Sequence, residues 1–269
     1  MTQIGKSLAD YKVAHYDAET DRPAGKRWVT MSNSLVHAAQ GLSLPEKQII
    51  MLAISKLDSK KTVRRDNLPR VRITASEMVE AYGIDQSDAY KYLKQAGDNL
   101  YERSLVFREQ VFSRVKSRRE PGEKIKRCRW IGSQEYHTGE GWMEMIFWPE
   151  IVPHLTALKG KFTSYQMGRI SSLRSTYSWR LMEMLTEYAD KNTGQGYMKI
   201  EIGDFCHAME ATEKQRENFN NIRRRIIEPA VKELKSKDGW IIEWEPIKRG
   251  RRVAQLTFKF ARDPQKRLL

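Results

Sequence analysis

The chain has little of what several large protein classes need. It carries two cysteines, Cys128 and Cys206, in 269 residues. That is too few for a disulfide framework and fits a reducing cytoplasm. The longest uncharged stretch, Trp28 to Pro45, is half polar or small, so no membrane-spanning helix is expected. The N-terminus lacks the apolar core of a secretory signal. The five histidines, His15, His37, His137, His154 and His207, are scattered, with no H-x-H pair. A metal-dependent nickase that cuts DNA with a tyrosine therefore loses its centre. There is no G-x-x-x-x-G-K-[ST] loop, which excludes a P-loop ATPase or helicase, and no G-x-S-x-G elbow. Cys128 with His137 and Cys206 with His207 match no usual zinc spacing. Glu243 and Glu245 flank Trp244 as an exposed strand face. No catalytic residue, metal or cofactor is expected, and the chain reads as a non-enzyme.

Positive charge is abundant. Lys+Arg number 48 against 34 Asp+Glu, a net charge of +14. It is concentrated in two places. Arg114 to Arg129 holds eight basic and two acidic residues, and Lys214 to Arg252 holds twelve and six. Clustering of this kind favours a polyanion partner over a merely solvated surface. The apolar fraction of 40% is enough for packed cores, and the length suits one or two domains.

One order of elements is expected twice. Residues 1–27 read as a flexible arm, with ordered structure from about Trp28. Ser43 to Glu46 is a capping box opening a helix with Ile49, Ile50, Ala53 and Leu57 on one face. Val71 to Ile73 reads as a short strand. Thr74 to Glu77 caps a short helix that Gly83 ends. A longer helix starts near Ser87, with Ala89, Leu93, Ala96 and Leu100 inward. Strands are expected over Leu105–Phe112, Cys128–Tyr136 and Trp142–Trp148, the last two joined at Gly139-Glu140-Gly141. The basic segment Arg114 to Arg129 fits a long wing or a disordered loop. In the second half a helix spans Ser175–Asp190, a strand Met198–Ile202, and Asp204 caps a short helix. A longer helix from about Lys214 to Lys235 turns Phe219, Ile222, Ile226, Ala230 and Leu234 inward. A hairpin then runs Trp240 to Trp244, turns at Lys248 to Arg252, and returns with Leu256, Phe258 and Phe260 on one face. Helix, strand, short helix, long helix and hairpin is the order of a winged helix. The fold class is therefore α+β, two tandem winged-helix domains related by an internal pseudo-repeat. The first covers 28–150 and the second 151–269.

In such modules the second helix of the turn enters the major groove. The long second-half helix carries Asn220, Asn221, Arg223, Arg224 and Arg225 off its apolar face, with Lys214 and Arg216 ahead of them. Arginine can fork onto guanine O6 and N7, and asparagine onto adenine N6 and N7. The bland alternative is a solvated basic face. Lys248, Arg249, Arg251 and Arg252 stand at the hairpin tip, where they would touch phosphates and supply affinity. Ser87, Tyr90, Lys91 and Lys94 form a weaker candidate face in the first half. Pro229 should kink or interrupt the reading helix near Arg225–Ile226.

Asn218-Phe219-Asn220-Asn221-Ile222-Arg223-Arg224-Arg225-Ile226-Ile227-Glu228-Pro229-Ala230 resembles the recognition-helix region of plasmid Rep initiators, the iteron-binding proteins of theta replication. Met31 to Leu35 with Leu42 to Lys47 is similar to the opening of that family. Ser175 to Leu181 is similar to the start of its second module, and Gly250 to Arg252 with Leu256 to Phe260 to its closing wing. The likeness spans roughly residues 28–260. It implies two winged-helix domains and a monomer that binds origin direct repeats. It also implies a dimer that binds an inverted repeat at its own promoter and represses it. Host replication initiator and replicative helicase would be the protein partners. The second module would be the main reader; the first would add DNA contacts and hold the dimer interface. The alternative is a winged-helix transcriptional regulator without a replication role.

Overall fold

A computed structural model describes residues 22–64, 67–115, 118–136 and 139–263. Most of the expected flexible arm, with His15 and His137, lies outside these. Packing starts slightly ahead of Trp28. A 3-10 turn over Ala24–Lys26 buries Ala24, and the buried Arg27 pairs with Glu77 at 2.8 Å.

The first unit follows from its caps and its apolar spacing. Strand β1 (Trp28–Ser32) leads into the short helix α1 (Asn33–His37) and then α2 (Leu44–Ile54). At the start of α2 the Ser43 amide donates to Glu46 Oε2 at 2.8 Å, closing the expected capping box. Helix α2 is buried all round rather than on one face, Lys47 and Gln48 included. It is the central helix of the molecule, packed on β1, β2, α3 and α4. Strand β2 (Arg70–Thr74) precedes α3 (Ala75–Tyr82), whose Thr74–Glu77 capping box is formed. Gly83 ends α3 at φ 63°, a left-handed cap that glycine adopts without steric cost. Asp85, two residues ahead of the expected start, caps α4 (Gln86–Tyr101). Ala89, Leu93, Ala96 and Leu100 are buried on it as anticipated.

The middle of the chain settles one alternative and corrects one expectation. Of the two readings of Arg114 to Arg129, the long wing fits and the disordered loop does not. Strand β3 (Ser104–Val115) pairs antiparallel with β4 (Arg118–Arg129), from Ser104 opposite Arg129 to Val115 opposite Arg118. On β4 the described residues 123–127 and 129 are exposed and Cys128 alone of them is buried, so no apolar alternation marks this strand. The strand expected over Cys128–Tyr136 is broken at Trp130. Its indole is buried and donates to the Gln40 carbonyl at 2.7 Å. Strands β5 (Ile131–Tyr136) and β6 (Trp142–Phe147) follow.

Strand β7 (Phe162–Gln166) pairs antiparallel with β1, and neither was legible from alternation. Ser175 caps α5 (Thr176–Tyr188). Then come β8 (Gly196–Glu201), α6 (Ile202–Ala208), α7 (Glu213–Arg216) and α8 (Phe219–Ile222). A widened π turn over Arg223–Ile227 leads into α9 (Glu228–Lys237), and β9 (Trp240–Arg249) with β10 (Arg252–Arg262) closes the unit. Asp204 does not cap α6. It lies inside the first turn, and the N-cap is Glu201.

The repeat is one of topology. The first unit has a sheet ordered β2-β6-β5, the second β8-β10-β9. In both, the strand ahead of the helical turn pairs antiparallel with the last strand of the unit. Trp130, Trp179, Tyr165, Phe147, Phe205 and Phe258 are among the largest sealed side chains, and one continuous core runs through both units.

Candidate nucleic-acid interface

In the second unit, the helix expected to read DNA begins later than the expected start near Lys214. Lys214 and Arg216 sit on α7, a separate turn with its own Thr212–Gln215 capping box. The chain then re-caps. Asn218 Oδ1 accepts the Asn220 amide at 2.8 Å and starts α8. Sequence reasoning gave Asn218 no role, although asparagine directly ahead of an apolar helical repeat is a usable start signal.

Pro229 interrupts the α-helical ladder around Arg225–Ile226, as expected, without ending the helix. It has no amide hydrogen to continue the ladder, and the turn ahead of it widens instead. The Glu228 amide donates to the Arg223 carbonyl five residues back. The extra residue in this turn changes which side chains face outward. Arg223, Arg224 and Arg225 are exposed in succession, and Ile226 and Ile227 are both buried. Arg223 Nε meets Glu228 Oε1 at 2.7 Å. Asn221 Nδ2 donates to the Lys214 carbonyl at 3.1 Å, tying α7 to α8. Arg216 donates to the Ala211 carbonyl at 2.7 Å and the Cys206 carbonyl at 3.1 Å, so its guanidinium holds the end of α6.

The β9–β10 hairpin ends at Gly250, φ 64°, with Arg249 opposite Arg252. Lys248, Arg249, Arg251 and Arg252 are all exposed there. Hairpin tip and helix start face one another across a groove of about 870 Å³. Asn220, Arg223, Lys248, Arg251 and Arg252 are among its lining residues, together with Arg216 and Asn218. Lys214, Asn221, Arg224, Arg225 and Arg249 do not line it. The groove joins hydrogen-bonding groups of the kind that read base edges to cations of the kind that hold phosphates.

The first-unit candidates form a separate face on α4. Lys91 is exposed, Tyr90 is half-buried, and the Lys94 ammonium lies 5.0 Å from the Tyr136 ring centroid. Ser87 Oγ donates to Asp85 Oδ1 at 2.6 Å and so supports the helix cap. The two units differ at their hairpin tips. Between β5 and β6 the sequence Tyr136 to Trp142 contains Glu140 and no lysine or arginine.

Both cysteines are buried, and burial raises the pKa of each thiol. Burial lowers the pKa of His154 and His207. Among the described residues no three His, Cys, Asp or Glu side chains are gathered as metal ligands, and no helix is long and apolar enough to cross a membrane.

Two winged helices in tandem, with a basic groove at the helix start of the second, define a double winged-helix DNA-binding protein. The family description "Initiator Replication protein, WH1" matches residues 28–186, and "Initiator Rep protein, WH2" matches residues 201–260. The chain belongs to this family of replication initiators, the plasmid Rep class that its recognition-helix segment resembles. The PI protein of Escherichia coli is 24% identical over 256 residues, covering 86% of this chain and 81% of that protein. An Escherichia coli replication initiation protein is 24% identical over 240 residues, covering 88% of this chain and 70% of that one. Among solved structures, the Pi initiator protein in complex with iteron DNA matches with a TM-score of 0.70 at 22% identity. That likeness covers 89% of this chain and 99% of that one, and it carries the fold.

Proposed function

We propose that this protein initiates plasmid replication by binding direct repeats, the iterons, at the origin as a monomer. The observation that carries the reading is the groove where Asn220 and Arg223 at the helix start face Arg251 and Arg252 of the wing. Residues 151–269 act as the main reader. Asn220, Asn221, Arg223, Arg224 and Arg225 address base edges, with Lys214 and Arg216 beside them. Lys248, Arg249, Arg251 and Arg252 hold phosphates. Residues 28–150 add contacts through Ser87, Tyr90, Lys91 and Lys94 on α4.

The same protein forms a dimer through the first unit, binds an inverted repeat at its own promoter and represses it. At the origin it passes the opened DNA to the host replication initiator and replicative helicase, all in the bacterial cytoplasm. The solved Pi complex with iteron DNA supports this reading by likeness of fold.

Selection of bound duplexes from a random pool at near-physiological salt tests it. The expected product is a two-part motif of about 15–20 base pairs, the length that two reading heads about two helical turns apart require. Binding without an enriched motif, lost as salt rises, would contradict the proposal.

A further inference from the structure

The junction between the two units is built around one strip of backbone, residues 36–41. From the first unit, Ala39 pairs with Val106, the Trp130 indole donates to the Gln40 carbonyl, and Lys47 Nζ donates to Gln40 Oε1 at 2.7 Å. From α5, Arg180 Nη2 donates to the Val36 and Ala38 carbonyls at 2.6 and 2.7 Å. The same guanidinium reaches the Ala208 carbonyl at the end of α6, 3.1 Å away. Gly41 closes the strip at φ 64°, and a Cβ there would lie 2.5 Å from the Ser104 carbonyl oxygen. The strip has no room to slide.

Glu210 completes the junction in an unusual way. Helix α6 ends in a Schellman motif, with the Ala211 amide bonded to the Cys206 carbonyl at 2.9 Å and the Glu210 amide to that of His207 at 3.0 Å. The left-handed position of that motif normally belongs to glycine, because a Cβ is unfavourable there. Here it is Glu210, at φ 54°. Its side chain spans the junction: the two carboxylate oxygens accept the amides of Gln40 and Gly41, each at 2.9 Å. A residue held against its backbone preference, gripping two amides of the other unit, points to a role that glycine cannot fill.

We propose that Glu210 is a positioning residue that sets the second reading unit against the first. It thereby makes the protein sensitive to the spacing of the two half-sites it reads. This rests on the paired-reader function proposed above. One base pair of extra spacing turns one half-site by about 35° relative to the other, at 10–10.5 base pairs per turn. A rigid junction rejects that duplex; a loose one accepts it.

The test compares the wild-type chain with Glu210→Gly and Glu210→Gln. Each is titrated on the selected duplex and on versions with one base pair inserted or removed between the half-sites. Wild type is expected to lose about tenfold or more on altered spacing, the scale of a single mismatched position. Glu210→Gly should discriminate less than about threefold while melting close to wild type, since relief of the left-handed backbone offsets the loss of the two amide contacts. Glu210→Gln, with one acceptor oxygen left, should fall between.

A second readout needs no DNA. Spin labels placed at Gln95 on α4 and Lys235 on α9, both exposed, report the distance between the units. The distribution should be narrow in wild type and broad in Glu210→Gly. Wild-type spacing discrimination or an unchanged distance width in Glu210→Gly would overturn the assignment. Absence of a two-part motif for the wild type would instead contradict the function, and the label distances would still decide the role of Glu210.

Discussion

The Lys47 ammonium lies 2.9 Å from the Glu183 carboxylate, with side-chain exposures of 1% and 0%. This pair joins α2 to α5. Arg180 meets the same carboxylate at 2.9 Å, the Tyr165 hydroxyl donates to it at 2.9 Å, and the Trp179 indole donates to that hydroxyl at 3.1 Å. The two partners are not equivalent. Removing Glu183 strands two buried cations, whereas removing Lys47 leaves the carboxylate still held by Arg180 and Tyr165.

Glu183→Ala should therefore destabilise the protein by about 3–5 kcal/mol, the usual cost of stranding a buried charge. Lys47→Met should cost clearly less. Chemical denaturation of both variants and of the double variant checks this. Equal losses from the two single substitutions would contradict the asymmetry.

Burial lowers the Lys47 pKa from 10.5 to about 8, with Glu183 pulling the other way. Between those values the unfolded chain binds a proton that the folded chain does not. Stability contributed by this group therefore rises from about pH 8 to 10.5. Denaturation midpoints across that window should climb in wild type relative to Lys47→Met. Parallel pH curves would contradict the shift.

Pro229 should matter for binding more than for folding. Pro229→Ala restores an amide donor in a helical segment and is expected to leave the melting temperature unchanged or higher. By removing the cause of the widened turn it should turn Arg223 to Arg225 and weaken binding to the selected duplex. Unchanged affinity would show that the π turn is not needed to present those arginines.

In the proposed function the hairpin tip supplies charge without sequence information. Arg249→Ala or Arg251→Ala should weaken selected and random duplexes alike. Each should also lower the slope of log K against log salt by about one unit. A loss confined to the selected duplex would reassign the residue to base reading.

Much of this architecture is legible in the sequence, for reasons that can be named. The Ser43–Glu46 and Thr74–Glu77 boxes, Gly83 and the Leu256-Phe258-Phe260 alternation are local signals, and local chemistry fixes the elements they mark. Strand β4 was hidden because its described residues 123–127 are exposed and carry no apolar alternation. The full burial of α2 was hidden because Lys47 and Gln48 look like surface residues until Glu183 and Gln40 are placed beside them. At the interface the cluster around Asn220 and Arg223 could be read from residue type, but the groove could not. It depends on the hairpin folding back over α8, and on Asn218 restarting the helix past α7. The structural work of Arg216 and Glu210 was also invisible, because both act on backbone groups distant in sequence or outside their own helix.

The central claim is that the start of the second-unit reading helix reads bases. It is tested most directly by measuring affinities of the wild type, Arg223→Ala and Arg224→Ala for the selected duplex and for a scrambled one of equal length, at one fixed salt concentration. Each substitution should cost about 1–3 kcal/mol on the selected duplex and little on the scrambled one. Equal losses on both duplexes would show that these arginines only hold phosphates, and would contradict the account.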